Sequence, residues 1–205
     1  MNADYVKAQI TIPNIITFIR LLCIPYLCVE IYASGGYSKL GCVIFIAIWA
    51  TDFIDGYLAR RLNQVSDLGK VLDPLVDKIL HVSSAIMMTI VKRVPLWVPI
   101  ILAVKELIMI VASGILMKKK VILSAKWYGK VATLLLALGF VIVFLLPNKY
   151  IYLNSYIFII PVLMSYFSLV SYAYQVYYAM KNNLIDKIEP NADGFRDLNT
   201  IFINN

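Results

Sequence analysis

From Asn14 to Met180 the chain alternates long apolar stretches with short connections that carry most of its charge. That alternation fixes what it can become. Backbone placed in hydrocarbon must satisfy its own hydrogen bonds, so each stretch of about 20 residues reads as a membrane-crossing helix. Of the 205 residues 61% are hydrophobic, and a mean hydropathy of +0.78 excludes an ordinary soluble domain. Six helices are expected, at about Asn14–Ala33, Leu40–Arg60, Pro74–Ile90, Leu96–Met117, Trp127–Leu146 and Ile151–Met180. An amphipathic segment (Tyr5, Val6, Ile10, Ile12) precedes them and lies along the interface. The fold class is therefore an all-α polytopic membrane protein, with one membrane domain over residues 1–180 and a polar tail over 181–205. Pro13, Pro74 and Pro95 fall where helix starts are expected. Pro147-Asn148 breaks the chain between the last two helices, and Pro161 marks a kink in the sixth.

Lysine and arginine orient the bundle. Arg60, Arg61 and Lys70 follow the second helix, and Lys118, Lys119, Lys120 and Lys126 follow the fourth. Lys181, Lys187 and Arg196 lie in the tail. The other side holds Lys39, Lys92, Arg93 and Lys149. Both termini and the 60–73 connection are thus expected to face the cytoplasm. No early apolar run ends in a small-residue cleavage site, so a removable leader is not expected. The net charge of +7 suits an anionic membrane surface, and this hydropathy argues against nucleic acid as its partner. Fourteen tyrosines, concentrated in the first and sixth helices, read as interfacial belts and packing. Cys23, Cys28 and Cys42 sit in apolar stretches without a CxxC or a Cys/His cluster, so they read as small buried hydrophobes.

Against this background the acids stand out. Asp52 and Asp55 are three residues apart, and Asp73 and Asp77 four apart, so each pair shares a helix face. Carboxylates at bilayer depth are costly and mark function. Four of them converging from two helices need cations between them, and hard oxygen donors suit Mg²⁺, Mn²⁺ or Ca²⁺. Gly56 and Ala59 leave room for a ligand beside the backbone. Arg60 can bind phosphate through two hydrogen bonds. Gly69 sits in the intervening loop. Together these residues describe a site that handles a diphosphate, in which a carboxylate beyond those saturating the metal takes the proton of an attacking hydroxyl. A divalent-cation transporter is the rival from another class. The acids cluster at one end rather than the midplane, and no inverted repeat is visible, both of which argue against it.

The spacing Asp52-x-x-Asp55-Gly56-x-x-Ala59-Arg60, eight residues, Gly69-x-x-x-Asp73-x-x-x-Asp77 resembles the signature of the CDP-alcohol phosphatidyltransferase family at all eight positions. Pro13-Asn14-Ile15-Ile16-Thr17-x-x-Arg20 and Lys70-x-x-Asp73-Pro74-x-x-Asp77-Lys78 resemble its phosphatidylglycerophosphate synthase branch. The resemblance implies that Asp52, Asp55, Asp73 and Asp77 hold two divalent ions, Mg²⁺ or Mn²⁺, with Asp77 also the general base. It implies that Gly56, Ala59, Arg60 and Gly69 shape a CDP pocket. It implies phosphatidyl transfer from CDP-diacylglycerol to an alcohol, releasing CMP, by a homodimeric enzyme.

Glycerol 3-phosphate is the expected acceptor. Its phosphate needs cations beyond Arg60, and Lys105, Lys126 and Lys130 are the candidates, Glu106 anchoring Lys105. The Lys118–Lys120 run is also to hand, although a topological and lipid-surface role suits it better. Three departures from the branch bear on this. Lys105-Glu106 stands where the branch tends to have Arg-Glu, Ile115-Leu116 where it tends to have Leu-Arg, and Gly129-Lys130-Val131-Ala132-Thr133 where it tends to have Gly-Lys-x-Lys-Thr. They keep open a cardiolipin synthase activity with phosphatidylglycerol as acceptor. Three further polar residues have a bland and a functional reading. Asp67 either caps a turn or helps hold cytidine. His81, one turn beyond Asp77, either reaches the metal site or is a core residue or support behind it, the latter reading being preferred because carboxylates already suffice for the metal. Arg20 either snorkels to the surface or lines the acceptor pocket.

Overall fold

The computed structural model describes residues 11–61, 67–118, 121–122, 127–181 and 196–197. Tyr5, Val6 and Ile10 of the expected interfacial segment, Lys119, Lys120, Lys126 and most of the tail lie outside them, as do the side chains of Asp55, Ala59, Arg60, Asp67 and Lys118 and the surroundings of Gly56.

Helices dominate the described residues: α1 (Ile12–Ser34), α2 (Lys39–Arg61), α3 (Asp67–Ile90), α4 (Trp97–Lys118), α5 (Trp127–Leu145), a 3₁₀ turn (Asn148–Leu153), the short α6 (Asn154–Ile157) and α7 (Ile159–Lys181). One two-residue parallel pairing joins β1 (Val121–Ile122) to β2 (Arg196–Asp197) in the tail. Among the described residues four stretches are long and apolar enough to cross a membrane: Asn14–Ser34, Trp97–Leu116, Trp127–Leu145 and Asn148–Tyr178. The chain divides into two compact units, residues 1–99 with 137–157 and residues 100–136 with 158–205.

In the first unit α1 packs along both α2 and α3. Its start is set by Thr11, whose hydroxyl accepts from the Asn14 amide, and by Pro13 in the first turn. Its end is set by Gly35 at φ 64°, with the Gly36 amide reaching back to the Ile31 carbonyl at 2.9 Å. The Ser38 hydroxyl then donates to Glu30 at 2.6 Å and accepts from the Gly41 amide at 2.9 Å, tying the end of α1 to the start of α2. The core is aromatic: Phe45 is fully buried, its ring 5.5 Å from Phe140 and 5.9 Å from Phe144. A Cβ on Gly41 would meet the Phe144 ring at 2.8 Å, so the absent side chain lets that ring lie on the backbone of α2.

Arg93 closes this end of the unit. It is 2% exposed. Its guanidinium donates to the Val143 and Leu146 carbonyls at 2.6 and 2.5 Å and to the Asn148 side chain at 2.6 Å. Asn154 in turn donates to the Arg93 carbonyl at 2.7 Å. The last carbonyls of α5, which no helical amide can reach, are satisfied in this way.

In the second unit the start of α5 lies on α7. The Tyr128 and Ser171 hydroxyls are hydrogen-bonded, Phe167 stands edge-on to Tyr128 at 5.5 Å, and Gly129 lets Ser168 approach. Helix α4 leaves most of its apolar side chains uncovered, among them Leu107, Val111 and Ile115.

Two boundaries differ from the expected ones. Helix α3 begins at Asp67 rather than Pro74, so Gly69 is a buried helical residue and not part of a loop. Packing against α1 offsets both the glycine and the hydrogen bond that Pro74 removes. The expected sixth helix is divided at Phe158, three residues before Pro161. The proline ring excludes the carbonyl four residues back, at Ile157, so the break falls ahead of it.

Candidate active site

At the end of the first unit opposite the Arg93 clamp, three helices bring side chains together. Asp52 lies 13 residues into α2 and Asp73 six residues into α3. Helix α1 supplies two residues one turn apart, Thr17 and Arg20, which are 1% and 3% exposed. Arg20 Nη1 lies 2.5 Å from Asp52 Oδ1, and Nη2 lies 3.7 Å from Asp73 Oδ1. Thr17 donates to that Asp73 oxygen at 2.6 Å and lies 3.4 Å from Arg20 Nη2. The two carboxylates remain about one-third exposed, at 34% each. An anchored guanidinium thus joins acids from two helices while leaving each a face toward solvent or ligand.

Arg20 therefore does not snorkel; it is part of the acidic cluster. The sequence signal was present in the three-residue spacing of Thr17 and Arg20, which puts both on one face of an otherwise apolar helix. Which element that face meets cannot be read from the spacing.

Asp77 follows Asp73 by one turn. His81, 5% exposed, sits one turn further on. Its Nδ1 lies 2.9 Å from the Asp77 carbonyl oxygen and 3.4 Å from the Asp77 carboxylate. A carbonyl oxygen only accepts, so Nδ1 is the donor in this hydrogen bond. Nε2 is buried with no hydrogen-bond partner among the described residues. The ring lies 6.3 Å from both Phe45 and Phe140. His81 is thus a buried support behind Asp77.

Gly69 is buried near the start of α3. Asp55, Gly56, Ala59 and Arg60 continue α2. Of the lysines expected to receive an acceptor, Lys105 and Lys130 belong to the second unit. Lys105 Nζ donates to Glu106 at 2.5 Å and borders an apolar recess of ≈ 190 Å³ lined also by Ile101, Ile108 and Tyr166. Lys130 is exposed in the first turn of α5.

Among the described residues no three His, Cys, Asp or Glu side chains gather closely enough to hold an ion. The donor chemistry nevertheless fits one. Hard carboxylates from two helices meet where the fold already spends a buried guanidinium on charge balance.

Over 111 residues the chain is 35% identical to a cardiolipin synthase (CMP-forming) of Streptomyces coelicolor, covering 52% of each chain. It is 30% identical over 135 residues to a CDP-diacylglycerol–glycerol-3-phosphate 3-phosphatidyltransferase of Bacillus subtilis, covering 60% of this chain and 70% of that one. A protein of the same name from Aquifex aeolicus is 32% identical over 130 residues, covering 62% of this chain and 72% of its own. The matched region thus spans between about half and three-quarters of these relatives. The model of the CDP-alcohol phosphatidyltransferase family matches residues 10–175, a span that takes in α1, both acid-bearing helices and most of α7, and the chain belongs to that family.

Proposed function

We propose that this protein transfers a phosphatidyl group from CDP-diacylglycerol to glycerol 3-phosphate, giving phosphatidylglycerol phosphate and CMP. The observation that carries the reading is the meeting of Asp52 and Asp73, from separate helices, inside a complete eight-position family signature. The Bacillus subtilis and Aquifex aeolicus relatives, named for that reaction, support the choice of acceptor.

In this reading Asp52, Asp55, Asp73 and Asp77 hold two divalent ions, Mg²⁺ or Mn²⁺. Bound there, the ions neutralise the diphosphate and polarise the phosphorus under attack. Gly56, Ala59, Arg60 and Gly69 shape the CDP pocket, with Arg60 on phosphate. Asp77 takes the proton of the acceptor hydroxyl as its oxygen bonds to the phosphorus that carries diacylglycerol. The bond from that phosphorus to the bridging diphosphate oxygen breaks, and CMP leaves. Support from His81 holds the Asp77 carboxylate in place. Lys105, Lys126 and Lys130 are the cations assigned to the acceptor phosphate.

The second reading keeps this chemistry and changes the acceptor to phosphatidylglycerol, giving cardiolipin. It is favoured by Ile115-Leu116, where a phosphate-binding arginine is absent, and by the likeness to the Streptomyces coelicolor protein. We further read the chain as six spans in the cell membrane, with both termini and the mouth of the site cytoplasmic, working as a homodimer. Helices α2 and α3, at 23 and 24 residues, reach about 35 Å at 1.5 Å per residue, enough to cross.

Nucleotide binding tests the class of function. CDP or CMP should protect the purified protein against heat in the presence of Mg²⁺ and lose that effect in EDTA. Equal melting with and without nucleotide would favour a cation transporter instead.

A further inference from the structure

We propose that Arg20 is the resident counter-cation of the acidic site. By bridging Asp52 and Asp73 it holds the acids together before a divalent ion binds, and it competes with that ion for them. The inference rests on the reading of these acids as metal ligands and concerns a residue outside the signature.

The role follows from what surrounds Arg20. A buried guanidinium is tolerated when anions surround it, and converging carboxylates are tolerated when a cation lies between them. At 3% exposure, with Nη1 at 2.5 Å from Asp52 and Nη2 at 3.7 Å from Asp73, each partner meets the other's need. Thr17 fixes the arrangement, because its hydroxyl donates to the Asp73 oxygen that faces Nη2. An ion bound by Asp52 and Asp73 must either share those oxygens with the guanidinium or displace it. In both cases two positive charges compete for the same pair of acids. Arg20 therefore stabilises the metal-free protein and weakens metal binding. An arginine serving only to pack α1 would do the first and not the second.

The test is Mn²⁺ binding, followed by electron paramagnetic resonance on the full-length protein in detergent, for wild type, Arg20→Gln, Arg20→Lys and Asp52→Asn. Arg20→Gln should bind Mn²⁺ roughly tenfold more tightly than wild type. It should also melt lower in EDTA and recover more on adding Mn²⁺. Unchanged or weaker binding would overturn the proposal. Arg20→Lys keeps the charge and loses the fork, so it folds if the neutral variant does not. A smaller tightening is expected there, and no tightening counts against the proposal. Asp52→Asn separates the two layers. If it leaves Mn²⁺ affinity intact, the metal reading fails and this inference with it. If it weakens binding while the Arg20 variants do not strengthen it, this inference alone fails.

Discussion

In the proposed mechanism Asp77 is the residue on which the chemistry turns. Its carboxylate is 30% exposed, so it is open to a substrate, while His81 and the aromatic core stand behind it. Asp77→Asn removes the proton acceptor and keeps the shape. We expect turnover to fall by at least about 10²-fold, within the range that general-base catalysis supplies. The fold and part of the CDP-lipid affinity should survive, as read by melting and by nucleotide protection. Turnover near wild type would remove Asp77 as base. Lys105→Ala should raise the KM for glycerol 3-phosphate more than that for CDP-diacylglycerol, and an equal rise in both would take Lys105 out of acceptor binding. At this scale the sequence was legible where a signature fixed spacing: it singled out Asp52 and Asp73, which Arg20 joins in the structure, while the side chain of Asp55 lies outside the described residues. Thr17 and Arg20 were seen as a motif but not as members of the acidic cluster. Their partners lie 32 and 56 residues away, and spacing reports a shared face within one helix, not what a second helix places opposite it.

At the scale of elements, the turns closing the first unit depend on two unusual groups. Gly36 has φ 77°, and a Cβ there would meet Arg93 Cγ at 2.6 Å. Gly36→Ala should therefore destabilise the protein by about 2 kcal/mol through backbone strain and displacement of Arg93. Gly114 is the control: it lies inside α4 and meets nothing within 4 Å among the described residues. Gly114→Ala should be neutral or stabilising by up to about 1 kcal/mol. Similar melting points for the two variants would contradict the account of the turn. Arg93→Lys tests the clamp. A lysine cannot serve two carbonyls and an amide with one planar fork, so a loss of about 2 kcal/mol is expected. Helix positions themselves were legible from apolar runs and charge breaks, with ends correct to one or two residues for α1, α2, α4 and α5. Of the prolines read as helix starts Pro74 misled, and Pro161 marks its kink with the break one turn ahead of it. At Pro74 packing carries the helix through, whereas at Pro161 the chain breaks one turn early because the ring acts on the preceding turn.

At the scale of the whole molecule, composition alone made a membrane protein necessary, and four helices meet that requirement by length and apolarity. Accessibility labelling of single cysteines placed at positions 2 and 204 should show both ends on the cytoplasmic face, and labelling from opposite faces would contradict the six-span reading. That expectation rests on the charge pattern, in which lysines and arginines concentrate in alternate connections. What composition could not give is the acceptor, which depends on a few cations rather than on the scaffold.

The most direct test supplies purified protein with labelled CDP-diacylglycerol and Mg²⁺, offering glycerol 3-phosphate and phosphatidylglycerol in separate reactions. The account expects phosphatidylglycerol phosphate and CMP from the first reaction, with product lost in EDTA. Cardiolipin from the second reaction, with no product from the first, would contradict the assigned acceptor while sparing the site. Absence of CMP from both would contradict the transferase itself.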